Sequence, residues 1–209
     1  MSINLINFFD WFSSHLLTRP WLIIGKGPTF DMLDKVDLSK YHVVGLNHVM
    51  YKVNCLLGHV IDFDVIKSSV SDNLCQHIVT PWEPHINNSP GGKTALSLFN
   101  DPDIVAKNPV LWYNSSRSAK LMIKSGPIIR VKGFSAVAAV NLLSAAGIKE
   151  VFTLGVDGGT KYSSQFKTNT LLANGRSSFD CQAAEFKYSR KKFNIKVIPL
   201  YKGSFKEGT

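Results

Sequence analysis

The chain has 209 residues, 44% of them hydrophobic, which is enough for the core of one domain, yet no apolar run is as long as a membrane span. Its formal net charge of +9 favours an anionic partner, namely nucleic acid, an anionic membrane surface or a phosphorylated substrate. Three widely spaced cysteines predict reduced thiols in a cytoplasmic protein rather than a disulfide framework or a zinc site, and residues 1–19 lack the features of a signal peptide.

The first predicted element is an amphipathic helix over residues 3–17. Its apolar side chains recur at helical spacing, and they are Leu5, Phe8, Phe9, Phe12 and Leu16. This aromatic stripe fits insertion into a membrane interface, and equally well packing on the domain's own sheet or on a second subunit. Peripheral membrane contact and a homo-oligomer are therefore both open. We divide the chain into this N-terminal helix, residues 1–19, and an α/β domain, residues 20–209.

A glycine turn follows the first predicted strand, Trp21–Ile24. The turn consists of Gly25, Lys26, Gly27, Pro28 and Thr29. Thr29 is a suitable N-cap for the helix expected next, so backbone N–H groups and the helix dipole would face a phosphate, with Lys26 adding a cation. The turn matches neither the P-loop pattern nor G-x-G-x-x-G, so a plain turn without a ligand is an equal alternative.

Three further strands are predicted at residues 41–46, 61–66 and 76–80. Asn47 follows the first of these strands. In the second, Asp62 and Asp64 alternate with apolar residues and so share one strand face, and Lys67 closes it. The irregular stretch over residues 81–94 contains His85 and is a candidate lid over a site.

The second half of the chain continues the alternation of strands and helices. The predicted elements are a helix over residues 133–146, a strand over residues 150–154, a helix over residues 179–193 and a last strand over residues 195–200. This order predicts a single Rossmann-like α/β domain with a mostly parallel sheet flanked by helices. Ligands of such sheets bind at the carboxyl ends of the strands, where residues 25–29, Asn47, residues 64–67 and Asp157 should converge.

Basic residues concentrate towards the C-terminus, on the outer face of the helix over residues 179–193 and in the tail beyond it. They are Lys187, Arg190, Lys191, Lys192, Lys196, Lys202 and Lys206. A solvated helix face explains most of them, but the region is also a second candidate for contact with an anionic membrane.

Several of these strand ends resemble one family. Gly25-Lys-Gly-Pro-Thr29 is similar to the G-N-G-P-S turn of bacterial CMP-sialic-acid-dependent sialyltransferases (glycosyltransferase family 42 type), and Leu46-Asn47-His48 to their C-N-Q segment. Residues 145–157 resemble their G-x-K-E-I-Y-L-x-G-I-D signature. The same turn occurs in related lipopolysaccharide and flagellin-glycosylation proteins, including hydroxymethylpterin pyrophosphokinases. The resemblance extends over the chain after residue 20, except for residues 70–125.

The resemblance implies a single-domain glycosyltransferase that uses a nucleotide-activated, CMP-linked sugar without a metal or other cofactor. It also implies a glycan or glycolipid acceptor of the bacterial surface, reached from the cytoplasmic side of the inner membrane. The residues indicated for nucleotide binding are Gly25, Lys26, Gly27, Pro28, Thr29, Asn47, Asp64, Lys67, Lys132, Gly133, Ser135 and Gly158.

The chain departs from the family's pattern in three places. Lys26 replaces the asparagine of the glycine turn, Phe166 stands where a second tyrosine is expected, and residues 174–179 lack the family's catalytic histidine. Tyr162 is then the tyrosine left to contact the leaving phosphate. The candidate bases are Asp157, Asp64 and His85.

Two other functions remain open. A pyrophosphokinase of the same fold would need a divalent ion, for which Asp62, Asp64 and Asp157 are the available carboxylates. A non-catalytic nucleotide-sugar binder would fit the missing histidine. No helix-turn-helix, RRM or OB signature is present, so we expect no nucleic-acid partner.

Overall fold

The structure is a computed structural model that describes residues 4–67, 73–86, 89–101, 109–116, 126–131, 134–158, 161–166 and 176–202. The strands are β1 Leu5–Asn7, β2 Trp21–Ile24, β3 His42–Leu46, β4 Cys55–His59, β5 Cys75–Pro81, β6 His85–Ile86, β7 Ser89–Pro90, β8 Val110–Ser115, β9 Ile128–Ile129, β10 Glu150–Leu154 and β11 Lys196–Pro199. The α-helices are α1 Phe8–Ser13, α2 Phe63–Lys67, α3 Ala95–Phe99, α4 Ser135–Ala145 and α5 Arg176–Phe193. Short 3-10 helices span Pro28–Lys35, Leu38–Lys40, Asn47–Tyr51 and Ser164–Phe166.

The central sheet has the strand order β1-β8-β5-β4-β3-β2-β10-β11, and β9 pairs with β8. Its strands pair in parallel, whereas β6 and β7 form a separate antiparallel pair. The chain runs from β2 outward through β3, β4 and β5, and returns on the other side of β2 at β10. This reversal is the switch point at which such sheets bind ligands. The predicted α/β fold with a mostly parallel sheet is confirmed.

Both faces of the sheet are covered, as the uninterrupted apolar runs of its strands require. Along β2, Ile23 belongs to one hydrophobic cluster and its neighbours Leu22 and Ile24 to the other. The first cluster includes α4, in which residues 136–144 are all buried. Gly147 follows α4 with a φ of 95°, the left-handed conformation that commonly ends a helix.

The N-terminal helix is shorter than predicted. Residues 3–17 do not form one helix, because Leu5–Asn7 adds a strand beside β8 and α1 occupies only Phe8–Ser13. The Asn7 side chain caps the helix by accepting a hydrogen bond from the Phe9 N–H. Phe8 and Trp11 are buried in the core, so the aromatic stripe packs on the domain's own sheet. Leu16, just beyond the helix, is 92% exposed.

The predicted strand over residues 61–66 is wrong. The strand of this region is β4, Cys55–His59, and residues 63–67 form α2. The pattern of alternating apolar residues also fits one helical turn, in which Phe63 and Ile66 are buried three residues apart and Asp64 is exposed. Asp62 and Asp64 therefore do not share a strand face.

The C-terminal elements agree with the prediction to within a few residues. α5 begins at Arg176, and β11 covers residues 196–199. Lys187, Arg190, Lys191 and Lys192 are exposed on α5. Among the helices in the described ranges, none combines the length and apolar character that crossing a bilayer requires.

Candidate functional site

The glycine turn lies against the end of β10, at the switch point of the sheet. The Gly25 N–H donates to the Leu154 carbonyl at 2.8 Å, and the Gly27 N–H donates to the Gly155 carbonyl at 2.7 Å. A Cβ on Gly27 would lie 2.5 Å from Asp157 Oδ2 and 2.8 Å from the Gly155 oxygen. Gly27 is therefore required for the close approach of the two strand ends, whatever the turn binds.

Thr29 and Asp157 lock this contact. The Thr29 N–H donates to Asp157 Oδ2 at 2.7 Å, and the Thr29 hydroxyl donates to Oδ1 at 2.5 Å. The hydroxyl also accepts a hydrogen bond from the Gly155 N–H at 2.8 Å. Asp157 is 5% exposed, so these charge-assisted bonds satisfy a carboxylate that would otherwise be buried without partners. We name Thr29, Gly155 and Asp157 the clamp.

The clamp changes the predicted role of the turn. Thr29 is not the N-cap: Gly27 holds that position without a side-chain bond, and Pro28 is the first residue of the 3-10 helix. The N–H groups of Gly25, Gly27 and Thr29 are all used within the protein. They are consequently not an open cradle for a phosphate. The base predicted at Asp157 has both oxygens occupied by Thr29, and its catalytic role stays a prediction.

Lys26 is the cation of the site. Its Nζ lies 4.6 Å from the ring centroid of Tyr162, a cation–π contact. Burial lowers the pKa of Lys26 from 10.5 to about 8 and raises that of Tyr162 above its ordinary value. Burial, and then the charge of Lys26, lower the pKa of His48 to about 4, so this neighbouring imidazole is neutral at pH 7.

The loop after β10 is held beside Lys26 by Ser163. The Ser163 N–H donates to the Lys26 carbonyl at 2.8 Å, and its hydroxyl donates to Asp31 at 2.5 Å. These two bonds fix the position of Tyr162, the preceding residue. The sequence offered one signal for this contact, because Ser163 adjoins a tyrosine already singled out.

Asn47 and Ser135, both indicated for nucleotide binding by the sequence, are in contact. The Ser135 hydroxyl donates to Asn47 Oδ1 at 3.2 Å. Asn47 has a φ of 51°, a left-handed conformation that asparagine tolerates better than most residues. With Oδ1 engaged, the Asn47 amide nitrogen is the group left to donate to a ligand.

The other residues predicted to bind the nucleotide lie in three different places. Gly158 directly follows Asp157 and has a φ of 67°, which favours glycine. Asp64 is exposed on α2, and Lys67 is the last residue of that helix. Lys132 and Gly133 lie outside the described residues. Asp64 thus stands on a helix surface rather than at the strand end where it was expected.

His85 lies at the same edge of the sheet, beyond the end of β4, and is paired with Asp62. The two residues form an isolated parallel bridge, and the His85 N–H donates to the Ile61 carbonyl at 2.8 Å. Nδ1 of His85 lies 3.6 Å from Asp62 Oδ1, and His85 is 2% exposed. Sequence reasoning missed this pair because it placed Asp62 within a strand. Ending the strand at His59 would have placed Asp62 in the loop that follows it.

A second missed contact joins α5 to the sheet. Arg130 donates to both carboxylate oxygens of Glu185, at 2.9 and 3.1 Å, and its guanidinium lies 4.4 Å from the Tyr188 ring centroid. This bidentate pair anchors the helix that carries the basic residues. Within the described ranges, no three His, Cys, Asp or Glu side chains gather as a metal site would require.

Comparisons with known proteins give a likeness in structure alone. No protein-family profile and no curated protein matches the chain. Among solved structures, the chain is similar to the sialyltransferase CST-II in complex with a trisaccharide acceptor and CMP, with a TM-score of 0.49 and 16% identity over 87% of this chain and 81% of that one. It is also similar to a point mutant of alpha-2,3/8-sialyltransferase CstII, with a TM-score of 0.46 and the same identity and coverage.

Proposed function

We propose that the protein is a glycosyltransferase that uses a nucleotide-activated sugar, with a CMP-linked donor bound at the switch point between β2 and β10. One observation carries the proposal: the half-buried ammonium of Lys26 stands over the Tyr162 ring at this point. A cation partly shielded from bulk water attracts a phosphate more strongly than a fully exposed one. The proposal agrees with the resemblance of residues 25–29, Asn47 and residues 145–157 to the sialyltransferase motifs.

In this proposal, different residues of the site contact different parts of the donor. Lys26 and the Tyr162 hydroxyl face the phosphate, which leaves with the electron pair of the broken glycosidic bond. Stabilising that charge is the largest contribution such a site makes to the rate. The Asn47 amide, oriented by Ser135, donates to the nucleotide. The clamp holds the turn that carries Lys26 against the end of β10, which is the role it has in this proposal.

The acceptor is proposed from charge and from the family resemblance. A chain with a net charge of +9 and an exposed basic face on α5 suits an anionic glycan or glycolipid, such as a lipopolysaccharide precursor at the cytoplasmic face of the membrane. The basic face and the exposed Leu16 are the groups available for peripheral membrane contact. Lys26 supplies the positive charge at the phosphate, so we propose transfer without a metal ion.

A thermal-shift screen tests the proposal. CMP, CDP, UDP, GDP and ATP are each added with and without magnesium, because a ligand of the native state raises the melting temperature by mass action. We expect CMP and CDP to raise it equally with and without magnesium. A screen in which ATP with magnesium alone gives a shift would replace the glycosyltransferase by the pyrophosphokinase. A screen in which no nucleotide gives a shift would remove the nucleotide site altogether.

A further inference from the structure

The pair of buried His85 and partly exposed Asp62 has polar atoms that nothing in the described part of the chain satisfies. Nε2 of His85 and Oδ1 of Asp62 are both buried without a hydrogen-bond partner among the described residues. A buried polar atom without a partner costs free energy, so each one that a native structure retains calls for an explanation, of which a catalytic role is one. This pair is therefore unlike the clamp, in which both carboxylate oxygens accept hydrogen bonds.

The pair places a carboxylate beside the imidazole at ion-pair distance, 3.6 Å, without a hydrogen bond between them. Asp62 faces Nδ1, which favours the tautomer with the proton on Nδ1 and leaves Nε2, on the far side of the ring, as the basic nitrogen. The arrangement of a base oriented by a carboxylate is how imidazole is prepared for proton transfer. The bond between the His85 N–H and the Ile61 carbonyl fixes the backbone of His85 against the end of β4.

The position of the pair suits a partner for the proposed donor. Ile24 is level with Gly45, and Gly45 with Gly58, so β2, β3 and β4 end close to one level. With β3 between them, the ends of β2 and β4 are about 10 Å apart. In such a transfer the attacking oxygen lies about 3 Å from the anomeric carbon, and its base lies about 3 Å beyond that oxygen. A single oxygen joins the same carbon to the phosphate. The base therefore lies roughly 10 Å or less from the phosphate site.

We propose that His85 is the general base of the transfer and that Asp62 is its positioning residue, an assignment that rests on the proposed function. Nε2 of His85 takes the proton of the acceptor hydroxyl as its oxygen bonds to the anomeric carbon. The bond from that carbon to the donor phosphate breaks, and its electron pair leaves with the nucleotide beside Lys26. The imidazolium formed is stabilised by the Asp62 carboxylate. This assignment supplies the base that the family's missing histidine leaves vacant.

The first test compares His85→Gln with His77→Gln. His77 is the matched control because it lies near the start of β5, away from the carboxyl edge of the sheet. CMP release from CMP-N-acetylneuraminate is measured with lactose and with water as acceptors, and the thermal shift with CMP is measured for each variant. We expect His85→Gln to lose at least ~10²-fold in turnover with its CMP shift retained, and His77→Gln to match the wild type. A His85→Gln variant with full turnover overturns the assignment.

The second test probes Asp62 and does not depend on His85→Gln folding. Asp62→Asn should lower kcat at least about tenfold with KM unchanged, and Asp62→Glu should recover part of the loss. In ¹⁵N NMR spectra of the wild type, His85 should carry its proton on Nδ1, and Asp62→Asn should mix the two tautomers. A wild-type proton on Nε2 overturns the assignment. A wild-type protein that neither binds nor releases CMP overturns the proposed function itself, whereas an active wild type with an active His85→Gln overturns the base alone.

Discussion

The clamp and the Asp62–His85 pair lie on the same edge of the sheet and differ in how their carboxylates are satisfied: Asp157 is buried, and Asp62 is partly exposed. At the clamp, both oxygens of Asp157 accept hydrogen bonds from Thr29, and the contact joins two strands that are 128 residues apart in the chain. At the pair, Asp62 faces an imidazole at 3.6 Å and leaves an oxygen unsatisfied. The first arrangement satisfies its carboxylate within the protein, and the second has an imidazole nitrogen and a carboxylate oxygen without hydrogen-bond partners among the described residues.

The comparison separates two meanings of a polar residue at a strand end. The carboxyl edge of a parallel sheet collects such residues whether they bind ligands or hold the edge together. Position along the strand does not distinguish the two roles, so the state of the hydrogen-bonding atoms is the next observation to weigh. The Asp157 carboxylate is satisfied and His85 Nε2 is not, whereas Lys26 and Asn47 are proposed as ligand contacts from their positions.

The largest effect is expected from Gly27→Val, which breaks the clamp directly. The new Cβ would overlap Asp157 Oδ2 and the Gly155 carbonyl, and the latter belongs to backbone that cannot swing away. We expect unfolding to become easier by about 3 kcal/mol, the upper range for overpacking, with loss of the CMP-induced thermal shift. Gly27→Ala should give the smaller loss in the same direction. Wild-type melting and CMP binding in Gly27→Val would show that the two strand ends are not in contact.

Asp157→Asn tests whether the clamp is structural or catalytic. An amide offers one acceptor where the carboxylate offers two, so we expect a loss of about 2 kcal/mol of stability, the value of a hydrogen bond to a charged group. Thr29→Val is the partner variant: it removes the hydroxyl's bonds to Asp157 Oδ1 and from the Gly155 N–H and keeps the backbone N–H bond to Oδ2. If the contact acts only as a clamp, the two variants should lower the melting temperature and the turnover in parallel. The double variant should then lose less stability than the sum of the two single losses. If Asp157→Asn alone lost ~10²-fold in turnover, Asp157 would be the base after all.

The sheet was predictable because its signals are local. Trp21–Ile24 and Glu150–Leu154 are apolar runs bounded by turn residues, and both strands were predicted with the bounds that the structure has. Residues 61–66 failed because a short alternating run satisfies a strand and one helical turn alike. Leu5–Asn7 failed because an edge strand of three residues is defined by its partner β8, which sequence periodicity does not show.

The site was predictable in position more than in role. The strand ends placed residues 25–29 and Asp157 at one edge of the sheet, where they are in contact, whereas the contacts of Lys26 with Tyr162 and of Asn47 with Ser135 were not predicted. The glycine turn was interpreted as a source of free N–H groups, whereas its N–H groups bond to β10 and Asp157. Pairwise contacts between residues far apart in the chain, such as Asp62 with His85, carry no local pattern, so only the fold reveals them.

The smallest effect is expected from Lys26→Met, and pH sharpens it. Burial places the pKa of Lys26 near about 8 in the folded protein against 10.5 for an ordinary lysine. Between these two values the unfolded chain binds more protons than the folded one, so the contribution of Lys26 to stability rises with pH over that range. The affinity for CMP should change in the opposite direction, because the phosphate is attracted to the charged form, which is lost above pH 8.

Calorimetric titration with CMP at pH 7 and pH 9, together with thermal unfolding at both values, checks these opposed trends. The wild-type affinity for CMP should fall from pH 7 to pH 9. At pH 7, Lys26→Met should bind CMP about tenfold more weakly than the wild type, equal to about 1.4 kcal/mol. The affinity of Lys26→Met should not fall further at pH 9. Tyr162→Phe is the control, since it keeps the ring over which Lys26 lies and should preserve the pH dependence. His48 is neutral throughout this range because its pKa is about 4. If the affinity for CMP depended on pH equally in the wild type and in Lys26→Met, the phosphate would not bind at Lys26.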